Sequence, residues 1–199
     1  MQQVALASRN QGKINEFEVL LAPLGIEVIS LLDLPEIPDI VEDGDTFYDN
    51  ARLKAEAVCA ATQLPTLADD SGLVVHYLGG APGVHSSRFA LPEQGDAANN
   101  AKLLSMLTGV PEEKRQAHFT CVLAWARPGK STRFTTGLCF GFITKQAQGN
   151  NGFGYDPLFY LPQFNKTMAE IEPEIKNSIS HRAKAMQHML VLLQQELGN

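Results

Sequence analysis

The sequence predicts an α/β protein, because short apolar runs that suit buried strands alternate with longer segments of helical periodicity. Residues 4–7 are the first such run, and apolar side chains recur at helical spacing over residues 14–21. A second run at residues 26–29 precedes an alanine-rich helix, predicted from about Thr46 to Ala61. We find no internal repeat or flexible linker, so we expect one α/β unit. A hairpin within residues 118–143 could form a second lobe.

Composition and charge restrict the partners that this chain can have. Of its 199 residues, 44% are hydrophobic and 19% are charged, as in ordinary globular domains. A net charge of -6 argues against general affinity for nucleic acid or an anionic membrane, although a local cationic pocket is compatible with it. The three cysteines lack metal-binding spacing, so we expect reduced, mostly buried thiols. Without a signal-like or 18-residue apolar segment, a soluble, cytoplasmic protein is expected.

Two adjacent carboxylates, Asp69 and Asp70, lie between two short apolar runs, with a Ser-Gly pair behind them. The pattern predicts a strand, a turn and a second strand, with the acids at the carboxyl end of the first. Ligands bind at that edge in open α/β sheets. Neighbouring carboxylates repel each other, so a cation or water usually accompanies them. A solvated turn would explain the pair as well, and the residues alone leave both interpretations open.

A polar loop at residues 8–13 joins the first predicted strand to the first helix. Backbone N–H groups and the helix dipole favour an anion at such a junction, and Ser8 and Asn10 add side-chain donors. Lys13 lies in the first turn, where a positive charge opposes the dipole, so a bound phosphate would explain its position. The alternative is a capped turn with a solvated lysine.

One face of the predicted second helix carries a line of polar residues. Thr46, Asn50 and Lys54 are four residues apart and therefore share that face, and Glu42 lies just before the helix. Such a line either faces solvent, as on most surface helices, or walls a polar cleft with Glu42 close to a metal ion.

A glycine-rich loop at residues 149–159 contains the aromatic residues Phe153 and Tyr155. A structural turn explains the glycines but explains the two rings less well. Aromatic rings held in a loop can stack on a nucleobase. Base stacking and a purely structural turn both stay open.

A cationic cluster of Lys176, His181 and Arg182 accompanies the start of the last predicted helix. Ser180 is a suitable N-cap, which would put His181 and Arg182 at the first two helical positions. Positive charge is unfavourable there, and a nearby anion or nucleotide would reverse the sign of that effect. A solvated cluster is the alternative.

Together these motifs resemble the inosine triphosphate pyrophosphatases, the non-canonical purine nucleoside triphosphatases that clean the nucleotide pool. The matching segments cover nearly the whole chain: residues 8–13, Glu42 with 44–47, 50–51, 68–73, 79–83, 152–157 and 180–182. The resemblance implies an elongated mixed β-sheet flanked by helices, with two lobes around a long central cleft. It also implies hydrolysis of ITP, dITP and XTP to the monophosphate and pyrophosphate, dependence on Mg²⁺, and a homodimer.

The resemblance also implies roles for particular residues. Asp70 is expected to activate water, and Glu42 and Asp70 are expected to hold Mg²⁺, which suits few carboxylates together with substrate phosphates and water. The expected substrate-binding residues are Ser8, Arg9, Asn10, Gln11, Gly12, Lys13, Ser71, Phe153, Gly154, Tyr155, Asp156, Lys176, His181 and Arg182. Those at residues 8–13 would hold the triphosphate, and those from Phe153 onward would form the base pocket. Arg9 departs from the small residue that this family often has.

Two other functions are compatible with the sequence alone. A related enzyme would hydrolyse a different set of nucleotides, such as pyrimidine or methylated triphosphates. A nucleotide-binding regulatory protein would use Asp69 and Asp70 as a structural turn and would bind nucleotide without Mg²⁺-dependent turnover.

Overall fold

A computed structural model describes residues 2–91 and 95–197 of the chain. The helices are α1 (Gln11–Leu21), α2 (Phe47–Thr62), α3 (Gly95–Met106), α4 (Pro173–Ile179) and α5 (His181–Leu197). The strands are β1 (Gln2–Leu6), β2 (Ile26–Ser30), β3 (Thr66–Val75), β4 (Gln116–Ala126), β5 (Arg133–Ile143), β6 (Phe159–Leu161) and β7 (Lys166–Thr167). Short 3-10 helices lie at Ala22–Leu24, His76–Leu78, Gly83–Arg88, Glu112–Lys114, Asp156–Leu158 and Met168–Glu170.

The strands form one mixed sheet in the order β2-β1-β3-β4-β5-β6-β7. β1 runs parallel to both β2 and β3, whereas β5, β6 and β7 pair in antiparallel fashion. The predicted α/β class, the mixed sheet and the flanking helices are thereby confirmed. The strand expected from the second half of the 118–143 hairpin is β5, next to β4 in the sheet.

The chain divides into two compact units. The first comprises residues 1–70, 121–136 and 185–199, and the second comprises residues 71–120 and 137–184. Within the first unit, the apolar faces of α1 and α5 bury Phe17, Met186 and Met189 in one core. A second core of that unit contains Ala51, Ala55 and Val58 of α2, and their small side chains allow the helix to pack closely.

The second unit has a core of its own. Leu103 of α3, Phe119 of β4 and Phe159 of β6 are among its buried side chains, and the rings of Phe119 and Phe159 lie 4.5 Å apart between centroids. Each such side chain contributes about 1.5–3 kcal/mol through burial of apolar surface. This core also includes Tyr155, although its ring was expected in an open loop.

The predicted turn after Asp70 is wrong, because β3 is a single strand of ten residues that continues through Ser71 and Gly72. β1 pairs only with the beginning of β3, where Leu6 lies opposite Leu67. β4, which is eleven residues long, is the neighbour of β3 on the other side. Asp69 and Asp70 therefore lie inside a strand, two and three residues beyond its last pair with β1.

Several smaller predictions can be compared with the structure. The glycine-rich segment at residues 78–88 contains the 3-10 helix at Gly83–Arg88. All three cysteines are buried, and none forms a disulfide, as expected. Within the described ranges, every helix is too short or too polar to traverse a lipid bilayer.

Candidate active site

In the first unit, four side chains form what we call the carboxylate cluster: Glu42, Asn50, Lys54 and Asp70. Lys54 lies in its centre, with Nζ 2.8 Å from Oε1 of Glu42 and 3.8 Å from Oδ1 of Asp70. The same ammonium donates a 2.7 Å hydrogen bond to the backbone oxygen of Asp69. Lys54 is 8% exposed and Asn50 is fully buried. Asn50 and Lys54 of the polar line therefore face the protein interior with Glu42 beside them, whereas Thr46 is exposed and caps the helix.

Asn50 connects the loop that carries Glu42 to the strand that carries Asp70. Its Nδ2 donates to Oδ2 of Asp70 at 3.2 Å, and its Oδ1 accepts from the backbone N–H of Gly44 at 2.8 Å. A Cβ atom on Gly44 would lie 2.6 Å from Cβ of Asp49, so the backbone approaches α2 at a distance only glycine permits. Asn50 thereby fixes the orientation of the Asp70 carboxylate.

Burial raises the pKa of Asp70 to about 6, an effect that the Lys54 ammonium opposes and the Glu42 carboxylate reinforces. For Lys54, burial acts to lower the pKa, but Asp69, Asp70 and Glu42 outweigh it, and the net shift is upward. Lys54 is therefore a permanent cation at neutral pH. A carboxylate whose pKa lies near neutrality is well suited to accept a proton from water.

The strand-to-helix loop at residues 8–13 is organised by its own side chains. Oδ1 of Asn10 caps α1 by accepting from the N–H of Lys13 at 3.1 Å, and Oγ of Ser8 accepts from the N–H of Asn10 at 3.2 Å. Ser8 and Asn10 are thus acceptors toward the backbone here, rather than only donors as expected. Gln11 and Gly12 are exposed, and Gln11 bonds Asn15 at 2.8 Å.

Lys13 is not a solvated lysine. Its Nζ lies 2.9 Å from Oδ1 of Asp69, whose side chain is only 1% exposed. This buried carboxylate already explains a cation in the first turn of α1, so the position of Lys13 does not by itself require a phosphate. The lysine side chain is 20% exposed, which leaves part of it accessible to a ligand.

Arg9 is held by the loop that follows β2. Its guanidinium lies 2.9 Å from Oδ1 of Asp39 and donates to the backbone oxygens of Leu31 and Ile37. These contacts give Arg9 a structural role, and its predicted contact with substrate stays a prediction.

In the second unit, Phe153 lies exposed in what we call the aromatic loop, residues 149–156. Its ring is 44% exposed. Nζ of Lys176 lies 4.6 Å from the ring centroid, and Cζ of Arg182 lies 5.9 Å from it. Cations at such distances are attracted to the face of an aromatic ring. The structure therefore brings together three of the residues predicted for the base pocket.

Asp156 fixes the base of this loop. Its Oδ2 accepts from the N–H of Phe153 at 2.9 Å and lies 2.6 Å from Nζ of Lys176. Burial raises the pKa of Asp156, and the Lys176 ammonium opposes that shift. Gly152 has a φ of +79°, and a Cβ atom there would lie 2.1 Å from Oδ2 of Asp156. This position therefore requires glycine.

Tyr155 corrects the expectation that both aromatic rings stand in an open loop. It is 4% exposed and belongs to the core of the second unit. Its hydroxyl donates to the backbone oxygen of Ser86 at 2.7 Å. The ring anchors the loop, so Phe153 is the aromatic residue that a base could reach.

The start of α5 agrees with the prediction. Oγ of Ser180 accepts from the N–H of Ala183 at 3.1 Å, so His181 and Arg182 open the helix. Both are buried, at 8% and 3% exposed, which excludes a solvated cluster for these two residues. The imidazole of His181 stacks on Phe119, with centroids 4.9 Å apart. Ser71, predicted to bind substrate, is half-buried in β3 directly after Asp70.

The donor set for a metal ion consists of two carboxylates. Among the residues that the structure describes, no three or more His, Cys, Asp or Glu side chains are grouped to hold a metal. Glu42 and Asp70, however, both contact the ammonium of Lys54 and are thus close together. Two carboxylates with few other protein ligands fit Mg²⁺, which keeps waters and uses substrate phosphates.

Sequence reasoning missed Lys54 and Asn50 as site residues, although it had placed both on one helical face. The four-residue spacing of Asn50 and Lys54 is evident from the sequence, but the burial of their side chains depends on distant parts of the chain. The partnership of Lys13 with Asp69 was missed for the same reason, since 56 residues separate them.

An α/β fold with a capped strand-to-helix loop and a buried carboxylate cluster defines a candidate phosphate-handling enzyme. The model of the Ham1 family matches residues 4–192, and the chain belongs to this family. A dITP/XTP pyrophosphatase of Geobacillus kaustophilus is 54% identical over 186 residues, which cover 94% of this chain and 91% of the relative. The corresponding protein of Listeria monocytogenes serovar 1/2a is 52% identical over 189 residues, with 95% and 93% covered.

Solved structures agree with the sequence comparison. The Ham1 protein of Staphylococcus aureus has a TM-score of 0.90 and 41% identity, covering 98% of this chain and all of its own. A HAM1 protein from Coxiella burnetii has a TM-score of 0.92 and 40% identity with the same coverage. The resemblance inferred from the sequence motifs is confirmed.

Proposed function

We propose that this protein hydrolyses the non-canonical purine nucleotides ITP, dITP and XTP to the nucleoside monophosphate and pyrophosphate, and so cleanses the nucleotide pool. The two relatives compared above are dITP/XTP pyrophosphatases, which supports this activity. The observation in the structure that carries the proposal is the carboxylate cluster, in which a buried aspartate of raised pKa adjoins a permanent cation.

The proposal assigns the hydrolytic step to the carboxylate cluster. Asp70 accepts a proton from a water molecule whose oxygen forms a bond to the α phosphorus, the anhydride bond between the α and β phosphates breaks, and pyrophosphate leaves. Glu42 and Asp70 would hold Mg²⁺, which when bound offsets the charge of the phosphates and of the leaving pyrophosphate. Lys54 keeps the two carboxylates together, and Asn50 orients Asp70. Ser8, Asn10 and Lys13 would bind the triphosphate.

Recognition of the base is assigned to the second unit. The exposed ring of Phe153 is suited to stacking on a purine. Hypoxanthine and xanthine carry a 6-oxo acceptor where adenine carries a 6-amino donor, and the guanidinium of Arg182 can only donate. A donor next to the 6-position would favour the oxo bases and leave adenine with donor facing donor. Guanine shares the 6-oxo group, so rejection of GTP must depend on its 2-amino group and on other residues.

The variant Arg182→Ala tests this assignment. It should lower kcat/KM for ITP more than for ATP and narrow the ITP:ATP ratio about tenfold, which equals about 1.4 kcal/mol. Lys184→Ala is the matched control, because that cation lies on the same helix and donates to the backbone oxygen of Leu138 at 2.9 Å. An unchanged ratio in steady-state kinetics at saturating Mg²⁺ would mean that Arg182 serves phosphate binding or the fold.

The proposed function itself is tested by pyrophosphate release from a nucleotide panel. Purified protein is mixed with ITP, dITP, XTP, ATP, GTP, dUTP and a methylated pyrimidine triphosphate, with Mg²⁺ or with EDTA. We expect rapid, Mg²⁺-dependent release from the first three. Preference for the pyrimidines would indicate the related enzyme class, and binding without release would indicate a regulatory protein.

We also propose that the protein acts in the cytoplasm as a homodimer. Three reduced, buried thiols are compatible with a reducing compartment. The dimer is expected from the family resemblance, and light scattering on purified protein measures the molar mass directly against the 21.7 kDa of one chain.

A further inference from the structure

One residue of the aromatic loop, Gly154, is held at both of its peptide groups by a single helix. Its N–H donates to Oδ2 of Asp96 at 2.7 Å. Its carbonyl oxygen accepts from Nδ2 of Asn100 at 3.0 Å. Asp96 and Asn100 are four residues apart and therefore lie on the same face of α3. We call this pair of side chains the α3 clamp.

Helix α3 is a firm support for such a clamp. Leu103 is fully buried in the core of the second unit. Asn99 is 2% exposed, and its amide bonds the backbone N–H of Ala90 at 2.7 Å and the backbone oxygen of Ser87 at 3.2 Å. The helix that holds Gly154 is therefore itself fixed by apolar burial and by hydrogen bonds within the same unit.

Gly154 is the junction between an exposed ring and a buried ring. Phe153 before it is 44% exposed, whereas Tyr155 after it is 4% exposed and anchored in the core. The φ of Gly154 is +62°, a left-handed conformation that turns the chain between the two side chains. Because Gly154 directly follows Phe153, this turn sets the direction of the backbone that carries the exposed Phe153 side chain.

We propose that Asp96 and Asn100 are positioning residues for base recognition. By holding both peptide groups of Gly154, the α3 clamp fixes the ring of Phe153 in the orientation needed to stack on a purine base. The inference rests on the proposed function only for the identity of the ligand. The clamp acts on the base of the nucleotide and not on the hydrolytic step, which belongs to the carboxylate cluster.

Steady-state kinetics with two substrates tests the α3 clamp. ITP carries a base, and ribose 5′-triphosphate has the same sugar and phosphates without one. In Asp96→Ala and in Asn100→Ala, we expect the KM for ITP to rise about tenfold with kcat within about twofold, as for the loss of a hydrogen bond that orders a binding loop. The KM for ribose 5′-triphosphate should not change.

Two control variants separate positioning from general damage. Asp96→Asn keeps an oxygen that can accept from the N–H of Gly154, so its KM for ITP should return to within about threefold of the wild type. Lys102→Ala lies on the same helix, but its Nζ contacts the backbone oxygen and ring of Phe89, so both substrates should behave as in the wild type. Equal losses for ITP and ribose 5′-triphosphate, or no change for either, would overturn the inference.

Equilibrium binding of inosine gives a result that does not depend on turnover. Calorimetry should show about tenfold weaker binding of inosine to Asp96→Ala than to the wild type, and near wild-type binding to Asp96→Asn. If the wild-type protein bound inosine but released no pyrophosphate from ITP, the proposed function would fail while the α3 clamp was still tested. Unchanged inosine binding in Asp96→Ala would overturn the clamp even if the enzyme hydrolysed ITP.

Discussion

Replacing Asp70 with asparagine is expected to lower kcat for ITP about a thousandfold, within the range that a general base contributes. The amide has nearly the same shape as the carboxylate, but it can neither accept a proton from water nor act as an anionic metal ligand. Binding of ITP, measured by calorimetry in metal-free buffer, should stay within a few-fold of the wild type because the phosphate and base residues are unchanged. Asp45→Asn, at an exposed acid of the loop that precedes α2, is the matched control. Near wild-type turnover of Asp70→Asn would remove Asp70 from the mechanism.

The same variant should be more stable than the wild type in metal-free buffer. The pKa of Asp70 is about 6 in the folded protein against an ordinary value of 3.8. Below about pH 4 the carboxyl is protonated in both states and folding costs nothing extra, whereas above about pH 6 the folded state bears the full cost of a buried charge. Two pKa units correspond to about 3 kcal/mol at most. Urea unfolding with EDTA should show this gain in stability at pH 7.5. Equal stability of the variant and the wild type would mean that the buried charge of Asp70 does not destabilise the folded state.

Replacing Lys13 with alanine is expected to have two separable effects. Binding of ITP should weaken between about tenfold and a hundredfold, the range for a hydrogen bond to a charged group, while inosine binding stays unchanged. The fold should also lose about 1–3 kcal/mol, because the buried carboxyl group of Asp69 loses its 2.9 Å contact to Nζ. Calorimetry with both ligands and urea unfolding measure the two effects.

A second substitution distinguishes the structural part from the phosphate-binding part. The double variant Lys13→Ala with Asp69→Asn removes the buried charge together with its cation, so stability should return toward that of Asp69→Asn alone. Binding of ITP should stay weak, because the cation for the phosphates is still missing. If the double variant regained ITP binding, Lys13 would act only through the fold. Equal losses for ITP and inosine would lead to the same conclusion.

Features that depend on near neighbours in the sequence were predictable. The helical spacing of Ile14 and Phe17, the N-cap Ser180 and the alanine-rich α2 all follow from local geometry, and the structure contains them. The continuous β3 was not predictable in the same way. A Ser-Gly pair behind two acids resembles a turn, whereas β3 continues through both residues beside the eleven-residue β4.

Contacts between side chains that are far apart in the sequence could not be predicted either. A lysine in the first turn of α1 suggested a phosphate, whereas the structure gives it the buried Asp69. A tyrosine in a glycine-rich loop suggested an open ring, whereas burial of Tyr155 in the core is decided by residues far along the chain. Charge and residue type indicated which side chains belong to the candidate site, but not which of them form hydrogen bonds or ion pairs with one another.

The reactivity of the buried cysteines toward alkylating reagents can measure opening of the folded protein. Cys59 and Cys121 belong to the first unit and Cys139 to the second, and exposures of 6%, 0% and 2% keep alkylating reagents away from the native protein. Burial also raises the pKa of Cys59 and Cys139, which suppresses the reactive thiolate. Modification therefore requires local or global opening, and mass spectrometry of pulse-labelled protein can follow the opening of each unit through its own thiols.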